Sequence, residues 1–324
     1  MSTDLFDGRR VRCVVLDDYQ GVSMDYADWD TIPKLRVDVV RDHLSGDALL
    51  AAIENADIIV AMRERTPFPG RLLRRLPHLR LLVTTAMVNA SIDLGAARER
   101  GITVCGTPSL PTPHVEHTWA LIHALTRNVV GEVDNLRRGG PWQRFVGFDL
   151  HGRTIGIVGL GRSGQRVAAV AKAFGMHVLA WSPHLTPEAA ADRGAGYAPL
   201  TELMSRSDVV SLHLILAAST RGLIGAGELR LMKPTAFLVN TSRAGLVDTP
   251  ALVAALKQDR IAGAGLDVFD VEPLPVDDEL RSLATVVATP HIGYVTDANY
   301  REFYRGALAD IAAWLDGSPV RVLT

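Results

Sequence analysis

Cysteine is scarce: Cys13 and Cys105 are the two in 324 residues. Both lie in apolar, strand-like runs, so they read as buried small hydrophobes. That excludes a disulfide framework or a cysteine-rich zinc site. An excess of basic charge is also missing. The net charge is -2, which argues against a nucleic-acid partner held by electrostatics. No apolar run is long enough to span a bilayer, so no membrane role is expected. The first ten residues, MSTDLFDGRR, carry acids and no apolar core, unlike a secretory leader. The expectation is a cytoplasmic protein in a reducing compartment. Short-period repeats and low-complexity segments are absent.

What remains is an ordinary globular composition, 48% hydrophobic and 22% charged. At this length two domains are the prior. Short runs rich in Val, Ile and Leu alternate with helical patterns throughout. Five come first: RCVVLDD (12–18), VDVVRD (37–42), ADIIVAM (56–62), LRLLVTT (79–85) and ITVCG (102–106). Six more follow: RTIGIVGLG (153–161), HVLAWS (177–182), SDVVSLHL (207–214), TAFLVNTS (235–242), GAGLDVFD (263–270) and ATVVATP (284–290). Strands apolar on both sides and spaced by helices mean parallel sheets covered on both faces. Between the sets lies one long helical pattern, 114–140, with Val115, Trp119, Ile122, Leu125 and Val129 on its apolar stripe. A last helix, 297–317, has a stripe of Tyr300, Phe303, Tyr304, Ala307, Leu308, Ile311 and Trp314. With no strand after it, it can return to the first domain.

The stretch TIGIVGLGRSGQRVAAVAKAFG (154–175) holds Gly159, Gly161 and Gly164 in G-x-G-x-x-G spacing. The pattern alone is weak, but here a strand leads in and a helix leads out. The first glycine permits the turn, the second admits a pyrophosphate, and the third lets helix and strand pack closely. Free N–H groups at the helix start favour phosphate. The strand that follows ends at Ser182 where a ribose-binding acid is usual. No acid appears before Glu188, and no arginine before Arg193; His184 offers a weak positive charge. NAD and NADP both stay open on these residues, NAD slightly preferred. No metal is expected: His114 and His117 have no third ligand at suitable spacing.

Ligands of a doubly wound sheet sit beyond the carboxyl ends of its strands. Three late strands end in Arg243, in Glu272 of a Val-Glu-Pro turn, and in His291. Beside a nucleotide loop, the three favour a site. Histidine suits proton transfer near neutral pH. A glutamate would favour the protonated ring and orient it. Arginine offers a planar fork for a substrate carboxylate. Together they describe reduction of a 2-oxo acid to a 2-hydroxy acid.

The stretches GIVGLGRSGQRVA, LMKPTAFLVNTSRAGLVD, GAGLDVFDVEPLP and TPHIGYVT resemble the D-isomer-specific 2-hydroxyacid dehydrogenases, over nearly the whole chain. The resemblance implies an α/β fold of two Rossmann-like domains. A doubly wound nucleotide-binding domain (113–292) is inserted in a discontinuous, flavodoxin-like substrate domain (1–112 and 293–324). It implies that Arg243 binds the carboxylate and that His291, assisted by Glu272, is the general acid/base. Asp267 would meet the nicotinamide carboxamide. Gly159, Gly161, Arg162, Ser163, Gly164, Ser182, His213, Thr241, Ser242 and Gly293 would line the cofactor. Arg63, Met87 and Val88 would face the substrate, a small 2-oxo or 2-hydroxy acid. A homodimer formed mainly by the nucleotide domains is also implied. The sequence departs from the family pattern at Ala86, Met87 and Val88, where a glycine pair is usual, and at Ala244. Ala86, Met87 and Val88 predict a narrower or more apolar pocket. A corepressor-like dinucleotide sensor on the same fold is the competing reading, since such proteins keep the same three residues.

Overall fold

The computed structural model describes residues 9–324. The chain divides into two compact units: residues up to Leu110 together with Thr296–Thr324, and Pro111–Val295. The first unit holds β1 (Val11–Val15), β2 (Leu35–Val39), β3 (Ile58–Ala61), β4 (Leu81–Thr84) and β5 (Thr103–Gly106). They form a parallel sheet in the order β2-β1-β3-β4-β5, the order of flavodoxin-like folds. Every residue of β3 and β4 is buried, as expected for strands covered on both faces. One face is closed by Ile53, Leu73 and Ala97 from the connecting helices and Leu76 from a loop, packed against Val14, Ile59, Leu82 and Val104. The terminal helix, Asp297–Leu315, belongs to this unit and packs on β4 and β5. Its stripe residues Tyr300, Phe303, Tyr304, Ala307 and Ile311 are all buried. The chain then adds a short antiparallel bridge, Val322 opposite Cys105, which the sequence does not announce. Both cysteines are free and buried, and burial pushes the Cys105 thiol up to about 12.

The second unit holds β6 (Thr154–Val158), β7 (His177–Trp181), β8 (Gly196–Tyr197), β9 (Val209–Leu212), β10 (Phe237–Asn240), β11 (Gly263–Leu266) and β12 (Val286–Ala288). The order β12-β11-β10-β9-β6-β7-β8 is wholly parallel and reverses direction at β6, the doubly wound pattern. Helices Pro113–Thr126 and Arg162–Ala173 cover one face through Trp119, Ile122, Leu125, Val167 and Ala171. Leu203, Leu229, Leu252 and Leu256 of three further helices cover the other. Each fully buried Ile or Leu contributes roughly 1.5–3 kcal/mol by leaving water.

The single helix expected over 114–140 is instead two, Pro113–Thr126 and Val129–Arg137. The break is at Asn128, which takes φ +45°, a left-handed conformation that asparagine tolerates. Val129, expected on the buried stripe, is therefore 46% exposed.

Candidate active site

The nucleotide loop leaves β6 at the switch point of the sheet. Gly159 has φ +108°, and a Cβ there would lie 2.6 Å from the His213 carbonyl. At Gly164 a Cβ would lie 2.1 Å from the Gly159 oxygen, so helix and strand could not close. Gly161 is different. A Cβ there would meet nothing within 4 Å, so the space it spares lies outside the protein, at the start of the helix Arg162–Ala173. That open approach to a helix N-terminus fits a bound pyrophosphate. Arg162 and Ser163 begin this helix, and Ser163 Oγ meets His114 Nε2 at 2.6 Å. Ser182 Oγ accepts the Leu160 N–H at 2.9 Å, tying the end of β7 to the loop. The Arg193 guanidinium donates to the Leu160 carbonyl at 3.1 Å. His213 closes the far side of the loop and meets Ser211 Oγ at 2.8 Å. Burial first, then the charge of His114, lowers the His213 pKa to about 3, so its ring is neutral at physiological pH.

Three strand ends carry the rest. Beyond β10, buried Asn240 binds the Arg243 carbonyl through Nδ2 and the Ser242 N–H through Oδ1, fixing the turn. Ser242 Oγ donates to the Leu212 carbonyl, and Thr241 Oγ1 meets Thr118 Oγ1. Arg243 Nη1 donates to the Ser242 carbonyl at 2.8 Å.

Beyond β11 lies Asp267, 1% exposed. Its Oδ1 accepts from Thr289 Oγ1 at 2.7 Å and from the Ile292 N–H at 2.8 Å; its Oδ2 accepts from the Gly293 N–H at 2.8 Å. His117 Nε2 stands 3.2 Å from Oδ1. Burial alone would raise the Asp267 pKa. The His117 and Thr289 hydrogen bonds, with the Ile292 N–H, outweigh it and hold the group below the usual carboxylate range. One carboxylate thereby grips both sides of the turn that presents His291.

His291 itself has φ +52°, and its N–H bonds the Thr289 carbonyl at 2.9 Å. A non-glycine residue in this region signals a conformation imposed by its surroundings. His291 Nδ1 and Glu272 Oε2 are 2.7 Å apart. A carboxylate only accepts, so Nδ1 carries the proton and donates. The other Glu272 oxygen accepts the Phe269 N–H at 2.9 Å, which fixes the carboxylate plane. The Tyr294 ring stands edge-on to the imidazole at 5.3 Å. Nε2 is left as the nitrogen that can exchange a proton with a ligand.

Arg63, Met87 and Val88 belong to the first unit. Arg63 has φ +53°; its N–H donates to Thr85 Oγ1 and its carbonyl accepts from Asn89 Nδ2. Ala86, where the family pattern has glycine, takes φ +70°. Met87 and Val88 are 43% and 70% exposed. The sequence also names His114 and His117 as sources of helix polarity. Their actual partners, Ser163, Thr289 and Asp267, required the fold to be seen. Among the described residues no group of three or more His, Cys, Asp or Glu could hold a metal ion, and no helix is long and apolar enough to cross a membrane.

The sequence pattern of the D-isomer specific 2-hydroxyacid dehydrogenase NAD binding domain matches residues 119–293. The chain is 40% identical over 286 residues to a glyoxylate reductase of Thermococcus gammatolerans, covering 82% of this chain and 85% of that one. It is 38% identical over 262 residues to a D-3-phosphoglycerate dehydrogenase of Methanocaldococcus jannaschii, covering 80% of this chain and 49% of that one. The crystal structure of a phosphoglycerate oxidoreductase from Vibrio cholerae superposes with a TM-score of 0.91 at 33% identity, covering 95% and 99% of the two chains. With its two parallel α/β sheets and nucleotide loop, this chain belongs to the D-isomer-specific 2-hydroxyacid dehydrogenase family and is an oxidoreductase of that class.

Proposed function

We propose that the protein interconverts a 2-oxo acid and a D-2-hydroxy acid, with His291 as general acid/base, Glu272 as its partner and Arg243 as the carboxylate anchor. The observation that carries this is the 2.7 Å contact between His291 Nδ1 and Glu272 Oε2, at the ends of two neighbouring strands of the nucleotide-binding unit. A bound nicotinamide would supply the hydride in reduction and accept it in oxidation. Arg243 holds the substrate carboxylate through its planar fork. His291 Nε2 gives a proton to the carbonyl oxygen in reduction and takes it back in oxidation. Glu272 stabilises the charged ring and sets its orientation.

Gly159, Gly161, Arg162, Ser163, Gly164, Ser182, His213, Thr241, Ser242 and Gly293 are the proposed cofactor lining. Asp267 uses Oδ2 for the Gly293 N–H, which leaves a lone pair there for the nicotinamide carboxamide. Arg63, Met87 and Val88 are the proposed substrate contacts. The two apolar side chains favour a substrate with an apolar substituent, and equal turnover of glyoxylate and branched 2-oxo acids would count against this. A homodimer is supported by an unpartnered apolar stripe on the helix Val129–Arg137: Val129, Val130, Val133 and Leu136 are each at least 41% exposed.

The test is loss of reduced-nicotinamide absorbance with a panel of 2-oxo acids. His291→Ala should bind cofactor normally and reduce its substrate roughly two to four orders of magnitude more slowly. Unchanged turnover would remove His291 from the chemistry. Cofactor binding without any turnover by the unaltered protein would favour a dinucleotide sensor.

A further inference from the structure

In a dinucleotide fold the end of the second strand distinguishes the two nicotinamide cofactors. An acid there bonds the adenosine ribose and repels a 2′-phosphate; an arginine there accommodates it. Here that strand is β7, and the residues beyond it are Ser182, Pro183 and His184. No carboxylate follows until Glu188, so nothing on this turn repels a phosphate.

The distances bring a cation to the same place from further along the chain. Arg193 follows the helix Pro187–Asp192 as its cap. Its Nη1 reaches back to the carbonyl of Leu160, between the first two glycines of the loop. The N–H of the same Leu160 is held by Ser182 Oγ. Ser182 and Arg193 therefore grip one peptide residue from its two polar groups, which sets the guanidinium beside the end of β7. Among the described residues Arg193 has no carboxylate partner; its bond is to a neutral carbonyl. A guanidinium carries five N–H donors, and one of them is spent here. Positive charge uncompensated by an acid, at the ribose end of a nucleotide loop, suits a phosphate monoester.

We infer that Arg193 binds the 2′-phosphate of the adenosine ribose and makes NADP(H) the preferred cofactor. The sequence alone leaves both cofactors open, NAD(H) slightly preferred; eleven positions separate Arg193 from Ser182, and no local pattern joins them. The inference rests on the reading of this unit as a nicotinamide-nucleotide site. Its competitor is a purely structural brace, in which Arg193 does no more than support the loop.

Equilibrium binding separates the two. NADPH and NADH are each titrated by nicotinamide fluorescence, and adenosine 2′,5′-bisphosphate and 5′-AMP by calorimetry. The unaltered protein, Arg193→Ala and Arg193→Lys are compared. Arg193→Ala should weaken NADPH and the bisphosphate by roughly ten- to a hundredfold, the range of a charge-assisted hydrogen bond. NADH and AMP should change by less than about threefold, as befits ligands without the added charge. Arg193→Lys should keep part of the preference, because the charge stays while the fork is lost. A brace would weaken all four ligands alike and leave the NADPH-to-NADH ratio unchanged, which overturns the inference alone. Failure of the unaltered protein to bind either dinucleotide would overturn the nucleotide-site reading beneath it.

Discussion

Replacing Glu272 by Gln keeps the shape of the side chain and removes its charge. The carboxylate now serves two donors, His291 Nδ1 at 2.7 Å and the Phe269 N–H at 2.9 Å. An amide has one acceptor and one donor end. With its oxygen kept on Phe269, its N–H₂ faces Nδ1, which can then be met only as a lone pair. The ring is held neutral, with its proton on Nε2. The flipped amide satisfies His291 but sets two donors face to face at Phe269. Either way the charge-assisted hydrogen bond to His291 is lost. Such bonds contribute about 1.5–3 kcal/mol, against about 0.5–1.5 for neutral ones. The His291 and Glu272 side chains are 20% and 35% exposed, so solvent screening reduces the difference. About 1 kcal/mol remains, or roughly fivefold in kcat/KM for reduction. The measurement is kcat/KM across pH 6–9 at saturating reduced cofactor, with cofactor affinity taken alongside. The deficit should be greatest at high pH and shrink as solvent protons become abundant, while cofactor affinity holds. A deficit of equal size at every pH would refute the electrostatic argument and leave Glu272 a purely positional part.

Asp310 should make stability fall as pH rises, opposite to most carboxylates. It is fully buried, and burial lifts its pKa from 3.8 to about 6 even with Arg321 at 2.7 Å. Its favourable contribution is therefore complete below about pH 4 and lost as pH rises through 6, a swing of up to about 3 kcal/mol. In urea titrations Asp310→Asn should gain on the unaltered protein between pH 4.5 and 7.5, and a constant difference would contradict this. For the apolar stripe on Val129–Arg137, light scattering should give the mass of two chains, and Leu136→Asp should reduce it to one; an unchanged mass would place the dimer contact elsewhere.

The sheets were legible because their inner strands are buried on both faces, while the edge strands β2 and β12, only half-buried, still read as Val-rich runs. A run such as Ile58–Ala61 has no polar side to confuse with a helix. The strand missed is β8, whose Gly196 and Tyr197 are both exposed and show no apolar pattern. The site's residues were legible as strand ends, since a parallel sheet sends all its carboxyl ends to one rim. The contact of His291 with Glu272 follows from the pairing of β11 with β12. What depends on tertiary reach was hidden. The left-handed Asn128 left no mark on the apolar periodicity, and the bonds of His117 to Thr289 and Asp267 cross some 150 positions or more.

The terminal helix has one more consequence, for the order of assembly. Tyr300, Phe303, Tyr304 and Ile311 complete a core whose strands end near Gly106, and Leu323 adds a backbone bond to Val104. The first unit thus waits for a helix that follows the second unit in the sequence before its sheet is sealed. Pro111–Val295, by contrast, contains all seven of its strands in sequence. Long-range closure is slow because its chain entropy is lost before the contacts repay it. On a ribosome the inserted unit therefore matures first, and pulse-labelled hydrogen exchange should find protection in β6–β12 ahead of β4 and β5.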